Sequence, residues 1–403
     1  MSGAFDGLNV LGFTYAGTAN FAMRVLGMHG ATVVRVESHT RPCNLRLATP
    51  FKDNKPGINR SGFFAMANND RYSIALNLKH PRARSVLERL VRWADVVVEN
   101  FTPGTLDKIG LGYKDVSVLK PDIVMLSISS QGQTGPHSSV ASYGPQLQAL
   151  TGHVNLTGWS DRGPCQIDQS YPDFITPAYA VIALIGALVY RERTGKGQYI
   201  DCSNLEPSVQ WVAPALLDYS ANQHIQTRNG NKVLFAAPHN AYRCKGNDSW
   251  CGIAVTTEEE WSSLCTVIGK PELKGDPRFA TLLDRKKNEE ELDGIVSSWT
   301  AKYTAEEVMQ KLQAEKVSAG KVQTFKDIFA DPQLRHRNYF VPLNHPEMGV
   351  YEAYAPSYIL SETPAELRLP APCMGEHTEL VCKELLKMSD EEFIELLGES
   401  LFE

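Results

Sequence analysis

Residues 7–37 read GLNVLGFTYAGTANFAMRVLGMHGATVVRVE, and the fold follows from how this stretch is parsed. Its first eight residues form a short apolar run of strand length. The small residues Ala16-Gly17-Thr18-Ala19 then break the run, and Phe21, Val25 and Leu26 follow at helical spacing. Residues 31–37 make a second strand-like run, reached after about the length of one helix. Antiparallel neighbours need only a two-residue turn, whereas parallel strands need a long crossover, so the stretch predicts a βαβ unit. The pattern recurs along the first half. Residues 72–77 read as a strand, His80-Pro81-Arg82 opens a helix that runs through Leu90, and residues 95–99 and 123–128 are further strands. Short apolar runs alternating with amphipathic helices predict an α/β fold whose parallel sheet is covered on both faces.

From about residue 210 the sequence turns polar and rich in turns, with Asn229-Gly230-Asn231 and Lys245-Gly246-Asn247-Asp248 as markers. Strands are predicted around Tyr242 and over residues 250–255, and helices over 258–315. Beyond residue 325 come Pro332, Pro342, Pro346, Pro356, Pro364, Pro370 and Pro372, then an amphipathic helix near residues 390–397. The expected organisation is a large domain made of residues 1–215 and 328–403, with a smaller α+β domain of residues 216–327 between them.

A chain of 403 residues with 43% hydrophobic and 21% charged residues buries a sizeable core. A formal net charge of −6 argues against nucleic acid or an anionic membrane as the main partner, because such surfaces select a basic face. The eight cysteines are scattered without a C-x-x-C pair, which predicts reduced thiols and a cytoplasmic protein. No histidine or cysteine cluster has metal-site spacing, so no metal is expected. The N-terminus lacks the basic and apolar regions of a signal peptide. The longest apolar stretch, residues 174–190, is short for a membrane span and is expected to be a buried helix.

Motifs alone exclude more than they assign. The turn at residues 16–19 lacks the G-x-G-x-x-G spacing of a dinucleotide site, and Thr194-Gly195-Lys196-Gly197 lacks the rest of a phosphate loop and reads as a helix-to-strand turn. Asp173 lies in Tyr171-Pro172-Asp173-Phe174-Ile175-Thr176-Pro177, ahead of a helix expected to begin at Thr176 and Pro177. Local chemistry leaves two readings of it: a capping aspartate, or a carboxylate kept ionised by the helix N-terminus and able to act as a nucleophile.

Three segments carry a resemblance that extends over nearly the whole chain: residues 6–14, residues 26–37, and residues 94–106, which read ADVVVENFTPGTL. Residues 127–136, 193–198 and Gly375-Glu376-His377-Thr378 continue it in order. Together they resemble the class III CoA-transferase family, which includes formyl-CoA and carnitine CoA-transferases. The resemblance implies a Rossmann-like large domain and chains that interlock as dimers, of like chains or with a related subunit in a heterodimer or heterotetramer. It implies no tightly bound cofactor, with coenzyme A and acyl-CoA as substrates. The family's nucleophilic aspartate matches Asp173, which implies an aspartyl anhydride followed by an aspartyl-CoA thioester. The positions matching CoA contacts are Arg71, Asn100, Phe101, Lys108 and Ser129. Two of the family's basic residues are replaced, by Ser38 and Ser129, so His39 or Arg41 is expected to serve the nucleotide end.

The same family resemblance extends to alpha-methylacyl-CoA racemases, whose catalytic histidine matches Tyr143, a poor base at neutral pH. A non-catalytic subunit is the other alternative, and the retained Asp173 argues against it. Among subgroups, the resemblance is greatest to the benzylsuccinate CoA-transferase subunits of anaerobic toluene breakdown. That implies succinyl-CoA as donor and an aryl- or alkylsuccinate as acceptor, with Tyr15, Tyr143, Tyr171 and Phe174 forming an aromatic pocket.

Overall fold

A computed structural model describes residues 3–167 and 170–402. Its framework is a six-stranded parallel sheet in the order β3-β2-β1-β4-β5-β6. The strands are β1 Asn9–Phe13, β2 Thr32–Glu37, β3 Tyr72–Ala75, β4 Val96–Glu99, β5 Val124–Ser129 and β6 Gln198–Ser203. Successive side chains on a strand point to opposite faces, and both faces here are covered. Leu11, Val34 and Val97 pack with the Ala83–Trp93 helix and with Phe393 and Leu396 of the terminal Asp390–Gly398 helix. Their neighbours Val10, Val33, Val96 and Val98 pack on the other side with the Thr18–Met28 and Tyr171–Thr194 helices. This two-sided burial is why the strands read as continuous apolar runs rather than alternating ones.

The Tyr171–Thr194 helix departs from expectation at its start and along one side, and ends at the expected helix-to-strand turn. It begins five residues before Thr176, because Pro172 sits in the first turn, where its missing N–H costs nothing. Pro177 removes only the bond to the carbonyl of Asp173, and the helix continues to Gly195, a left-handed cap at φ 70°. The next glycine, Gly197, passes so close to β5 that a Cβ there would lie 1.9 Å from the Ile123 carbonyl oxygen. With 24 residues this helix is long and apolar enough to cross a membrane. It is only half enclosed: Ala180, Leu184 and Ala187 face the sheet, while Ile182 is 67% exposed and Ile185 and Val189 are also open.

The chain divides into two compact units, one of Met1–Val154, Gln166–Ile225 and Gln333–Glu403, the other of Asn155–Cys165 and Gln226–Pro332. In the first, the tail returns to the sheet. Arg82 pairs with Glu395 and Glu399, Arg89 pairs with Glu392, and the Asn77 N–H donates to the Leu401 carbonyl at 2.9 Å. The proline-rich segment includes an antiparallel hairpin, Phe340–His345 with Gly349–Tyr354, that the prolines concealed from the sequence reading.

The second unit holds an antiparallel sheet of β7 His239–Arg243, β8 Trp250–Ala254 and β9 Ser318–Lys321. Helices Glu258–Val267 and Ala305–Ala314 each start with a capping box, Thr257 with Glu260 and Thr304 with Glu307. Tyr242, Trp261, Phe279 and Leu312 are among the residues of its core.

Candidate active site

In an open α/β sheet, ligands bind beyond the carboxyl ends of the strands, where the strand order reverses. Here β1 lies between β2 and β4, and a cavity of about 430 Å³ opens at that reversal, walled by Tyr15, Arg41, Cys43, Phe101, Ser129 and Tyr143 among others. The loop after β1 forms one side and is pinned from two directions. Asn20 donates to the Ala16 carbonyl at 2.6 Å and accepts from the Thr14 hydroxyl at 2.8 Å. Asn100 accepts from the Tyr15 N–H at 2.7 Å and donates to the Tyr15 carbonyl. Ala16 takes a left-handed conformation, φ 58°, to make the turn.

Asp173 stands at the far end of the same loop. Tyr15 lines the cavity, whereas Gly17 and Thr18 face the carboxyl group: a Cβ on Gly17 would lie 3.8 Å from the Asp173 Cβ, and the Thr18 hydroxyl donates to Asp173 Oδ1. Asn204, just after β6, donates its Nδ2 to the Thr18 hydroxyl at 3.3 Å. Asp173 lies inside the first helical turn rather than ahead of it, and its N–H donates to the Ser170 carbonyl at 2.8 Å. Burial pushes its pKa above the ordinary aspartate value, and hydrogen bonds from Thr18 and Ser170 pull it partly back. Such a carboxylate is more basic than one in water, and the positive end of the helix still favours its ionised form. Its helix neighbours Tyr171 and Phe174 each pair with another ring, Phe174 with Phe21 at 4.8 Å between centres and Tyr171 with Trp211 at 5.9 Å.

The residues matched to CoA contacts do not gather in one place. Phe101 and Ser129 line the cavity, and the buried Ser129 hydroxyl has no partner among the described residues. Arg41 lines it as well, exposed and with its guanidinium 5.7 Å from the Tyr15 ring centre. Ser38 lines it too. Lys108 is exposed, one residue from the lining residue Ile109. Asn100 spends its amide on the Tyr15 backbone. Arg71 is 1% exposed, and its terminal nitrogens donate to Asn20 Oδ1 and the Asn20 carbonyl, both at 2.8 Å, and to Asn68 Oδ1 and the Ala67 carbonyl. A phosphate has no access to such a group.

Two buried glutamates end the strands on either side of β1, in opposite electrostatic settings. At the end of β2, burial raises the Glu37 pKa, but Arg35 and Arg46 outweigh it and hold the carboxyl at about 2. At the end of β4, no cation among the described residues offsets the burial of Glu99 in this way. Burial, with Asp107 and Asp201 adding to it, pushes it up to about 7. It accepts from the Phe101 N–H at 2.8 Å and from Gln133 Nε2 at 3.3 Å, so it braces one wall of the cavity. Thr18, Asn204 and Glu99 all escaped the sequence reading. Only Glu99 carried a signal, an acidic residue at the carboxyl end of an apolar strand.

Comparison with known proteins bears on this arrangement. The sequence profile of CoA-transferase family III matches residues 5–378. Succinyl-CoA–D-citramalate CoA-transferase of Chloroflexus aurantiacus is 32% identical over 323 residues, 80% of this chain and 80% of that protein. Succinyl-CoA:glutarate CoA-transferase of Mus musculus is 30% identical over 99% of this chain and 90% of its own. A CAIB/BAIF family protein from Brucella suis superposes with a TM-score of 0.87 at 29% identity, over 96% of this chain and 100% of that one. With a profile match that runs through the sheet, the cavity and the helix bearing Asp173, the chain belongs to CoA-transferase family III.

Proposed function

We propose that this enzyme moves CoA from succinyl-CoA to a second carboxylic acid, with Asp173 as the nucleophile. The observation that carries the reading is the placement of Asp173, a partly enclosed carboxylate anchored by Thr18 at one end of a loop whose other end walls an open cavity. Asp173 attacks the thioester carbonyl, the carbon–sulfur bond breaks, and CoA leaves as a thiolate, so that the acyl group and Asp173 are joined in a mixed anhydride. The thiolate then attacks the aspartyl carbonyl, which releases the donor acid and leaves an aspartyl-CoA thioester. The acceptor carboxylate runs the two steps in reverse. Each step exchanges one activated acyl bond for another, which is the advantage of a covalent route.

The CoA body occupies the cavity, against Phe101 and Ser129, with Arg41 and Lys108 as cations for its phosphates. Binding energy gathered there positions the thioester without touching the reacting bond. Asn100 serves by holding the loop, and Arg71 serves the fold. Relatives that name succinyl-CoA with glutarate or D-citramalate support a dicarboxylic acceptor. The rings of Tyr171 and Phe174, within two residues of Asp173 on the same helix, favour a succinate that carries an apolar group, benzylsuccinate included. All eight cysteines are unpaired, which suits a cytosolic enzyme.

The test is an assay with succinyl-CoA against glutarate, malate, citramalate and benzylsuccinate, joined to active-site trapping. Dicarboxylates are expected to be converted, and borohydride or hydroxylamine added during turnover is expected to modify Asp173 alone. Asp173→Asn is expected to abolish transfer while the fold persists, since an amide is a far weaker nucleophile than a carboxylate. Full turnover by that variant, or an adduct on a cysteine, overturns the assignment.

A further inference from the structure

We infer that Thr18 and Asn204 are positioning residues for the transfer reaction: they form a hydrogen-bond relay that anchors one oxygen of Asp173 so that the other makes the bond to the acyl carbon. The inference rests on the reading of Asp173 as nucleophile and adds the groups that orient it.

The relay is assembled from three separate parts of the fold. Thr18 is the first residue of the helix after β1, Asp173 lies in the first turn of the long helix, and Asn204 follows β6. The Thr18 hydroxyl has one hydrogen to give and gives it to Asp173 Oδ1. Its oxygen in turn accepts from Asn204 Nδ2, at 3.3 Å. The amide above fixes the direction of the hydroxyl, because a hydroxyl that accepts there points its own hydrogen elsewhere, toward the carboxylate.

Asn204 is itself held. Its N–H donates to the Ser129 carbonyl at 2.8 Å, and its carbonyl accepts from the Ser208 hydroxyl at 2.8 Å. Thr18 and Asn204 are 3% and 8% exposed, so water does not compete for the relay. Asn204 Oδ1 has no partner among the described residues. A buried amide oxygen left unpaired costs free energy, and a side chain serving the fold alone has no need to sit so. The relay also ties the reacting carboxylate to β5 and β6, the rigid part of the molecule. A displacement of about 1 Å at a reacting group lowers a rate about 100-fold, which sets the scale of what such an anchor supplies.

Thr18→Val keeps the shape and removes the hydroxyl. It is expected to lower kcat about 100-fold at unchanged KM for the CoA donor. It is also expected to move the acidic limb of the pH profile upward, since the lost bond favoured the ionised carboxylate. Thr18→Ser restores the hydroxyl and is expected to recover most of the rate. Asn204→Asp keeps its size but offers Thr18 a second acceptor, drawing the hydrogen away from Asp173, and is expected to act like Thr18→Val. That second variant covers the case in which Thr18→Val folds poorly. Wild-type kcat and an unmoved pH limb in both variants, with Asp173 still trapped as an adduct, overturn the relay and leave the nucleophile standing. Failure to trap Asp173 in the wild-type enzyme overturns the nucleophile, and the relay with it.

Discussion

Arg71 and Thr18 show how much of a residue's role depends on where its side chain ends. Arg71 matches a CoA-contact position in sequence, yet its guanidinium is enclosed, and burial, with Arg35 and Arg24 nearby, pushes its pKa well below the ordinary value. Removing a buried group that satisfies several partners typically costs about 3–5 kcal/mol. Arg71→Ala is therefore expected to lower the urea midpoint strongly, while KM for the CoA donor, measured on the folded fraction, stays at the wild-type value. A raised KM with an unchanged midpoint would return Arg71 to the phosphate site. Nothing in the sequence distinguishes it from Arg41, which is exposed at the cavity. Side-chain burial is decided by neighbours that the fold brings in from elsewhere in the chain, Asn20 in this case.

Strand β4 shows the same at the level of an element. Three valines, each 0% exposed, bury it on both faces and make it legible as a strand, and the glutamate that ends it is carried into the interior with them. The folded pKa of Glu99, about 7, exceeds its ordinary value of 4.5, so the folded state holds the proton more tightly. Stability from this group is full below about 4.5 and is lost as pH rises through 7, by about 3 kcal/mol in all. Urea midpoints measured from pH 5 to pH 8 are expected to fall less steeply in Glu99→Gln than in the wild type. Equal slopes would show that Glu99 is ionised throughout. The long helix was misread at its start for a related reason. Pro177 looks like a helix opener in sequence, but its place one turn after Asp173 means that it deletes a single bond in a helix already held against the sheet.

For the molecule as a whole, the exposed apolar surface is what remains to be satisfied. Ile182 and Leu217 are each 67% exposed, and Leu216 and Trp211 are also open, all within the larger unit. We propose that a second copy of the chain or a related subunit covers these side chains in an interlocked dimer. Sedimentation at micromolar concentration is expected to give a dimer, and Leu217→Arg to weaken it; a stable wild-type monomer would exclude the arrangement. The sequence by itself determined the α/β class, the parallel sheet and the place of Asp173 near a helix start, because apolar periodicity and turn residues act over short stretches of chain. The tertiary structure alone decided that Thr18, Asp173 and Asn204 meet, that Arg71 is sealed inside, and that Glu37 is held down by two arginines while burial raises Glu99. Those outcomes depend on which distant strand ends lie side by side, and hydrogen bonding and charge respond to that proximity in space rather than to order along the chain.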